Sequence, residues 1–253
     1  MIPVESIIIL LFLGGAWGSF INVVSYRLAR KRSFVTGRSS CPNCGRILRA
    51  LDLIPIISWL ILKGRCRSCH KAISFQYWAI EVAMGAFFVY GGLHVLGTIN
   101  QILYLAVVSF FAVLFVHDLR TYIVPDKIVI PAIAIIFILN VVSGSSWVSL
   151  LAGAFIGVMW FLIQFLASQG KWVGGGDIRL GALLGVLLGY PFIFLGLGAA
   201  YLGGSMVALV LIALRLKTLK SKIPFATMLL PAAFVIWVWG AQIWQWYVNL
   251  IGM

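Results

Sequence analysis

The chain has 253 residues, of which 62% are hydrophobic and 10% are charged, and its formal net charge is +13. This composition excludes an ordinary soluble domain and is typical of a polytopic membrane protein. The positive charge does not predict nucleic-acid binding, because the basic loop has few aromatic residues that could stack on bases. Its expected partner is the anionic lipid of the inner leaflet.

The predicted membrane spans follow one another along the chain with one long polar interruption. A span needs about 17–25 apolar residues to cross ~30 Å of hydrocarbon. Eight apolar runs are interpreted as spans: residues 3–24, 78–97, 101–117, 127–143, 147–168, 179–191, 192–214 and 223–251. The sixth is short. The first is followed rather than preceded by basic residues, which favours a retained anchor over a cleaved signal peptide.

Lysine and arginine lie only in alternate loops between these runs. Eleven of the 19 fall between Arg27 and Lys71, in the long polar segment. The others are Arg120, Lys127, Lys171, Arg179, Arg215, Lys217, Lys220 and Lys222. Because basic loops are retained on the cytoplasmic side, we expect an outside N-terminus and a cytoplasmic polar segment.

All four cysteines lie in that polar segment, as the pairs Cys41-x-x-Cys44 and Cys66-x-x-Cys69. Two such turns, each presenting two thiolates, complete a tetrahedral site for a structural Zn²⁺ ion. Disulfides are the alternative, and the reducing cytoplasm disfavours them. His70 is a further candidate ligand, although a solvated loop histidine is favoured. The apolar stretch LIPIISWLIL between the pairs is too short to span and is expected to pack on the zinc module or lie in the membrane interface.

Three of the six acidic residues, Asp118, Asp126 and Asp177, lie at predicted cytoplasmic ends of spans. Asp118 ends the third span, where the helix dipole disfavours a negative charge, so a structural explanation for it is weak. A solvated aspartate beside Arg120 is the alternative. Asp126 follows Pro125, and its role as the N-cap of the fourth span is favoured over catalysis.

Asp177 follows Gly174, Gly175 and Gly176 and could cap the sixth span. Three glycines suit a place where another backbone approaches closely, and an ionisable group at membrane depth indicates a functional site. Asp118 and Asp177 are expected at the same membrane face, where two converging carboxylates share a proton and act as the base and acid of an aspartyl protease. A Mg²⁺ ion held by carboxylates is the chemical alternative.

Five ordered motifs carry a family resemblance: GSFINVVSYRL, the CPNC and CRSC pairs, DLIPIISWL, HDLRTYIVPD and GGGD. With them the chain resembles the type IV prepilin peptidases, from about Gly18 to Arg179. The resemblance implies an eight-span GxGD aspartyl protease of the bacterial cytoplasmic (inner) membrane. Such an enzyme removes the leader peptide of type IV prepilins or pseudopilins at the cytoplasmic membrane edge. Many members then N-methylate the new terminal residue with S-adenosylmethionine as donor.

Carried over by resemblance, the catalytic residues are Asp118 and Asp177, and the GGGD glycines form an active-site loop. The zinc ligands are the four cysteines. Candidate supporting residues are Asp126, His117 and Glu81; His117 stands where the family usually has an apolar residue, and Glu81 matches an acidic position of the family. S-adenosylmethionine rests on the resemblance alone, since the glycines of GGAWGSF in the first span are interpreted as helix packing.

The predicted fold class is an all-α polytopic membrane protein with about eight transmembrane helices and a small cytoplasmic four-cysteine zinc module between the first two. The predicted division is an anchor helix over residues 1–24, a zinc-binding and methyltransferase part over 25–77, and a seven-helix peptidase domain over 78–253. Two other classes remain open besides a peptidase without methyltransferase activity. One is a zinc-containing scaffold, and the other is a transporter, which would need charges near the bilayer midplane.

Overall fold

The structure is a computed structural model that describes residues 3–33, 36–218, 221 and 224–250. Within these ranges the regular structure is helical, apart from two isolated antiparallel bridges, Ser40 with Ile47 and Arg65 with Ala72. The helices are α1 (Val4–Ala29), α2 (Ile57–Ile61), α3 (Phe75–His94), α4 (Thr98–Thr121), α5 (Asp126–Val142), α6 (Trp147–Ser168), α7 (Gly175–Leu188), α8 (Phe192–Ala213) and α9 (Ala226–Leu250), with a 3-10 turn at Ala50–Leu53.

The predicted all-α class is confirmed, and each predicted apolar run coincides with one of the longer helices. Five of the described helices, α1, α4, α6, α8 and α9, are long and apolar enough to cross a membrane. The others are shorter or less apolar: α3 has 20 residues, α5 has 17 and α7 has 14. At 1.5 Å per residue α7 extends only about 21 Å, less than the ~30 Å of a hydrocarbon layer.

The chain divides into two compact units, the first ending at Val116 and the second beginning at His117. In the first unit α1 packs along α3. The contact is close because glycines face it: a Cβ on Gly18 would lie 2.8 Å from Cα of Glu81, and one on Gly14 would overlap the carbonyl oxygen of Met84. The packing interpretation of the GGAWGSF glycines is therefore confirmed, as expected for small residues at a membrane-helix interface.

The polar segment of the first unit begins with a loop organised around Arg27, at the end of α1. The guanidinium group of Arg27 donates hydrogen bonds to the backbone carbonyls of Ser33, Thr36, Gly37 and Arg38, at 2.7 to 3.3 Å. The Arg27 side chain therefore supplies hydrogen-bond donors to backbone carbonyls that lie outside regular secondary structure. Further along, the apolar stretch forms the short α2. The ring of its Trp59 packs against the rings of Phe75 and Trp78 at the start of α3.

The second unit is arranged around α7, which packs against α5, α6, α8 and α9. Its last six residues, 183–188, and the following Gly189 are all buried. The side-chain amide of Asn140 on α5 donates to the carbonyl of Val186 on α7 at 2.9 Å. Because α7 is buried and held from several sides, its first turn has a fixed position, and that turn carries Asp177.

Candidate active site and metal centre

Asp118 lies in the last part of α4 and is buried, with 4% of its surface exposed. The backbone N–H groups of Ala226 and Thr227, in the first turn of α9, face its carboxylate as donors. A helix N-terminus stabilises a negative charge. Asp118 thus faces the N-terminal end of α9, a contact that the sequence analysis did not include, as well as lying at the C-terminal end of its own helix. No pattern in the sequence had pointed to Thr227.

Asp177 occupies the third position of α7, and its carboxylate Oδ2 accepts a hydrogen bond from the backbone N–H of Gly174 at 2.7 Å. Acidic residues at the third helix position commonly accept a hydrogen bond from the N-cap N–H group in this way. Asp177 is therefore a capping residue of its own helix. The capping hydrogen bond uses only Oδ2, so the other carboxylate oxygen of Asp177 can take part in proton transfer.

The two carboxylates belong to the same unit and lie close enough for the charge of Asp177 to act on Asp118. The two residues are 59 positions apart in the chain, and the first turn of α7 approaches the α4–α5 connection at Val124. Two neighbouring carboxylates cannot both ionise without repulsion, which favours a shared proton. This arrangement can supply a base and an acid at one place.

The glycines before Asp177 differ in what surrounds them. A Cβ added to Gly176 would lie 3.0 Å from Cβ of Val124, in the α4–α5 connection, whereas a Cβ on Gly175 would meet nothing within 4 Å. A side chain at position 176 would therefore press on the side chain of Val124. The space beside Gly175 is open.

Asp126 is the first residue of α5, and Pro125 occupies the N-cap position without any side-chain cap hydrogen bond. The N-cap interpretation of Asp126 is thus wrong. Its carboxylate instead forms an ion pair with Arg179 of α7, and both side chains are exposed, at 49% and 44%. The pair connects the beginnings of the two helices near the candidate carboxylates.

The other two candidate supporting residues have different surroundings. His117 is buried next to Asp118 in α4, with 5% exposure, and its backbone carbonyl accepts from the Thr121 hydroxyl at 2.8 Å. Glu81 belongs to the first unit, on α3, where its carboxylate accepts from the backbone N–H of Ile56 at 2.8 Å.

The four cysteines converge on one point. The sulfur atoms of Cys41, Cys44, Cys66 and Cys69 all lie within 4.8 Å of one another. Tetrahedral coordination with metal–sulfur bonds of about 2.3 Å places sulfurs about 3.8 Å apart, and Cys41 Sγ lies 3.9 Å from Cys69 Sγ. A disulfide needs about 2.05 Å. The residues therefore fit a metal ion, and all four cysteines are free thiols.

The two cysteine turns have the same hydrogen bonds. The N–H of Cys41 donates to the carbonyl of Arg46 at 2.9 Å, and the N–H of Cys66 donates to that of Lys71 at 2.9 Å. The residue after each pair, Gly45 or His70, has a positive φ of 69° or 54°. His70 thus stands at the turn position that glycine holds in the first pair, and it is absent from the ligand cluster.

Hydrogen bonds to the Cys69 sulfur favour its thiolate form. Hydrogen bonds from the backbone of Lys71 and the side chain of Asn43 lower the pKa of Cys69 to about 6. Burial raises the pKa of Asp52, but the Arg67 guanidinium at 2.7 Å and the backbone N–H of Arg49 outweigh it, and the pKa lies below its ordinary value. Asp52 therefore stays ionised and connects the segment between the pairs to the second pair.

Comparison with known proteins gives a consistent assignment. Residues 12–95 match the bacterial peptidase A24 N-terminal domain, and residues 105–213 match the type IV leader peptidase family. No solved structure matches the chain.

Several relatives are similar over nearly the whole length, and each is named prepilin leader peptidase/N-methyltransferase. The protein of Bacillus subtilis (strain 168) is 28% identical over 96% of this chain and 98% of its own. That of Aeromonas salmonicida (strain A449) is 32% identical over 92% and 91%. That of Pseudomonas putida is 28% identical over 100% and 97%. The chain therefore belongs to the type IV leader peptidase family.

Proposed function

We propose that this chain is a membrane aspartyl endopeptidase that removes the leader peptide of type IV prepilins or pseudopilins and then N-methylates the new N-terminal residue. Membership of the family supports the first activity, and the names of full-length relatives support both. The observation that carries the proposal within the molecule is the pair of interacting carboxylates, Asp118 and Asp177, in one unit.

In the proposed reaction Asp118 and Asp177 share one proton. The ionised member takes a proton from a water molecule, whose oxygen forms a bond to the scissile carbonyl carbon, while the protonated member donates to the carbonyl oxygen. The C–N bond then breaks, and the leaving amine takes up a proton from the pair. The helix N-termini of α7 and α9 beside the carboxylates stabilise the negative charge that the pair carries.

The metal is proposed from the chemistry of its ligands, and the methyl donor is proposed from the family resemblance. Four thiolates with tetrahedral spacing favour Zn²⁺ as a structural ion, because four cysteines leave no open position for catalysis. S-adenosylmethionine is the proposed donor and would supply a methyl group for the new N-terminal amine of the pilin.

For the membrane we propose eight spans, with α3, α5 and α7 crossing together with the five longer helices. The basic loops would lie on the cytoplasmic side of the inner membrane, with the zinc module and the carboxylate pair. In this orientation the pair meets a prepilin where its apolar helix leaves the bilayer. A pilus, secretion or DNA-uptake machine would receive the product.

Co-expression with a candidate prepilin and mass spectrometry of the pilin N-terminus test the proposal. The unaltered chain should remove the leader and add one methyl group. Asp118→Asn and Asp177→Asn should leave the prepilin uncleaved but keep the fold, since the amide oxygen of asparagine can still accept the hydrogen bonds from backbone N–H groups. Glu5→Gln, at the exposed start of α1, is the matched control and should cleave normally.

Full cleavage by either aspartate variant would exclude the carboxylate pair. Leader loss without a methyl group would indicate a peptidase alone. An unprocessed prepilin in the presence of the unaltered, folded chain would argue for the scaffold or transporter alternatives.

A further inference from the structure

An aromatic cluster joins the start of α9 to α6 and α8 within the second unit. It consists of Phe161 on α6, Tyr201 on α8 and Phe225, the residue before α9. The ring centroid of Phe225 lies 5.7 Å from that of Phe161, in an edge-to-face arrangement, and 5.8 Å from that of Tyr201. Aromatic rings attract one another at centroid distances of about 4.5–7 Å. The Phe225 ring is therefore held from two helices.

Phe225 is also the residue from which α9 begins. Its backbone carbonyl accepts the first hydrogen bonds of the helix, from the N–H groups three and four residues further on, at 3.0 and 3.1 Å. The first N–H groups of a helix have no partner inside it, and those of Ala226 and Thr227 face the carboxylate of Asp118. Because one residue carries both the ring and the carbonyl, the place of the Phe225 ring determines where these two N–H groups lie.

Phe161 connects the aromatic cluster to the helix of the second carboxylate. Its side chain is buried, with 0% exposure. A Cβ added to Gly181 of α7 would lie 2.7 Å from Cδ2 of Phe161, so the ring packs directly on the backbone of α7. Gly181 comes four residues after Asp177, and residues four apart lie on the same side of a helix. Phe161 therefore contacts α7 on the side that carries Asp177, and it contacts the start of α9 through Phe225.

The ring of Tyr201 is oriented by hydrogen bonds to α6. Its hydroxyl group accepts from the indole N–H of Trp160 at 3.2 Å and donates to Oε1 of Gln164 at 2.8 Å. The amide group of Gln164 in turn donates to the backbone carbonyl of Trp160 at 3.0 Å. Water competes little for polar groups on apolar helices of this kind. The hydroxyl group thus fixes the face that Tyr201 presents to Phe225.

The distance between the two carboxylates depends on how the helices pack, because Asp118 and Asp177 lie on different helices, α4 and α7. The hydrogen bond from Gly174 ties Asp177 only to the first turn of its own helix. Oδ2 of Asp118 is buried and has no hydrogen-bond partner among the described residues. A misplacement of about 1 Å between reacting groups can cost about 10²-fold in rate. Contacts that fix α7 and α9 therefore bear on the reaction.

We propose that Phe161, Tyr201 and Phe225 are positioning residues of the peptidase, which hold α7 and the start of α9 in the arrangement that lets the two carboxylates share a proton. The inference rests on the proposed peptidase activity, because it concerns the rate of that reaction. In this role the rings make no contact with the reacting atoms. The aromatic cluster acts on kcat, since it sets the geometry of the carboxylate pair and not the surface that receives the prepilin.

Cleavage kinetics of the purified full chain in detergent, with a prepilin as substrate, test this role. Phe225→Ala should lower kcat by about tenfold or more and change KM by less than about twofold. Phe225→Leu fills part of the space and should recover part of the loss. Phe234→Ala is the matched control: it removes the same side chain from a half-buried position further along α9 and should keep kcat within about twofold. An unchanged kcat in Phe225→Ala, or an equal fall in Phe234→Ala, would overturn the proposal.

Tyr201→Phe gives a test in a variant that keeps the ring and is expected to fold. It removes the hydrogen bonds to Trp160 and Gln164 and should lower kcat by roughly two- to tenfold, the range for one net hydrogen bond. In the Phe225→Leu background the same change should have a smaller effect, because residues that act through a shared contact are not additive. Full additivity of the two substitutions would overturn the proposed connection.

A fluorine label reports on the aromatic cluster without any cleavage. Para-fluorophenylalanine incorporated at position 225 should give a fluorine NMR signal that moves in Tyr201→Phe, because the orientation of the neighbouring ring changes. An unmoved signal would overturn the connection. Cleavage with a kcat that no substitution in the cluster alters would overturn this role alone. Cleavage by none of the proteins, the unaltered chain included, would overturn the proposed function and this role with it.

Discussion

Gly157 of α6 and Gly181 of α7 meet so closely that a Cβ on either would overlap the backbone carbonyl of the other. Small residues allow this approach, and van der Waals packing is a main attraction between helices in a membrane. The contact lies on the helix that carries Asp177. The position of a candidate catalytic group thus depends on two residues that have no side chains.

We expect Gly157→Ala or Gly181→Ala to destabilise the protein by about 1–3 kcal/mol, the usual cost of inserting a methyl group into a packed contact. Thermal unfolding in detergent measures the effect. Gly198→Ala on α8 is the matched control, because a Cβ there meets nothing within 4 Å and alanine favours a helix by up to about 1 kcal/mol. Unchanged stability in all three variants would contradict the close packing.

The GGGD glycines give a second, paired prediction. Gly176→Ala should lower both stability and the rate of prepilin cleavage, because its Cβ would press on Val124 and displace the first turn of α7. Gly175→Ala should leave stability within about 0.5 kcal/mol of the unaltered chain. It should raise KM for prepilin, since the resemblance assigns the GGGD glycines to an active-site loop and the space beside Gly175 is open. Thermal unfolding and cleavage kinetics measure the two effects, and equal stabilities would argue against the contact with Val124.

For the four-cysteine cluster we expect opposite changes in metal content from substitutions at two neighbouring positions. Cys69→Ser should lose the metal and destabilise the first unit, because a tetrahedral site needs all four ligands. His70→Gly should keep full metal content, because position 70 needs only a residue that accepts a positive φ. Metal analysis of the purified proteins measures both. Loss of metal in His70→Gly would show that the histidine is a ligand.

The ion pair between Asp126 and Arg179 should contribute little to stability. Both side chains are well exposed, and such pairs are worth about 0–1 kcal/mol. A double-mutant cycle with Asp126→Asn and Arg179→Gln should therefore give a coupling energy of about 0.5 kcal/mol. Cleavage by Asp126→Asn should fall far less than cleavage by Asp177→Asn. Equal losses in the two would assign Asp126 to the catalytic chemistry.

Hydropathy alone predicted where the long helices lie, because a bilayer requires long apolar helical runs. It predicted their ends less well. α1 continues to Ala29, beyond the apolar run that ends at residue 24, and Arg27 in its last turn pairs with carbonyls of the following loop. α7 begins at Gly175 because Asp177 caps it from within the first turn.

The candidate site, too, could be predicted only in part from the sequence. The spacing of the cysteines predicted their cluster, since each pair is local and the turn geometry is short-range. The partners of Asp118 and Asp126 could not be predicted, because Ala226, Thr227 and Arg179 are distant in sequence and ordinary in type. Their roles arise only from the packing of α9 and α7 in the second unit.

The two equivalent cysteine turns have a thermodynamic consequence. The segment between them carries α2 and Trp59, whose ring packs on Trp78 of α3, so a metal ion held by both turns would close a loop that contacts α3. Closure of the loop and this packing contact must strengthen each other by the same factor. Removing the metal should therefore weaken the packing of Trp59, and Trp59→Ala should speed the loss of the metal to a chelator.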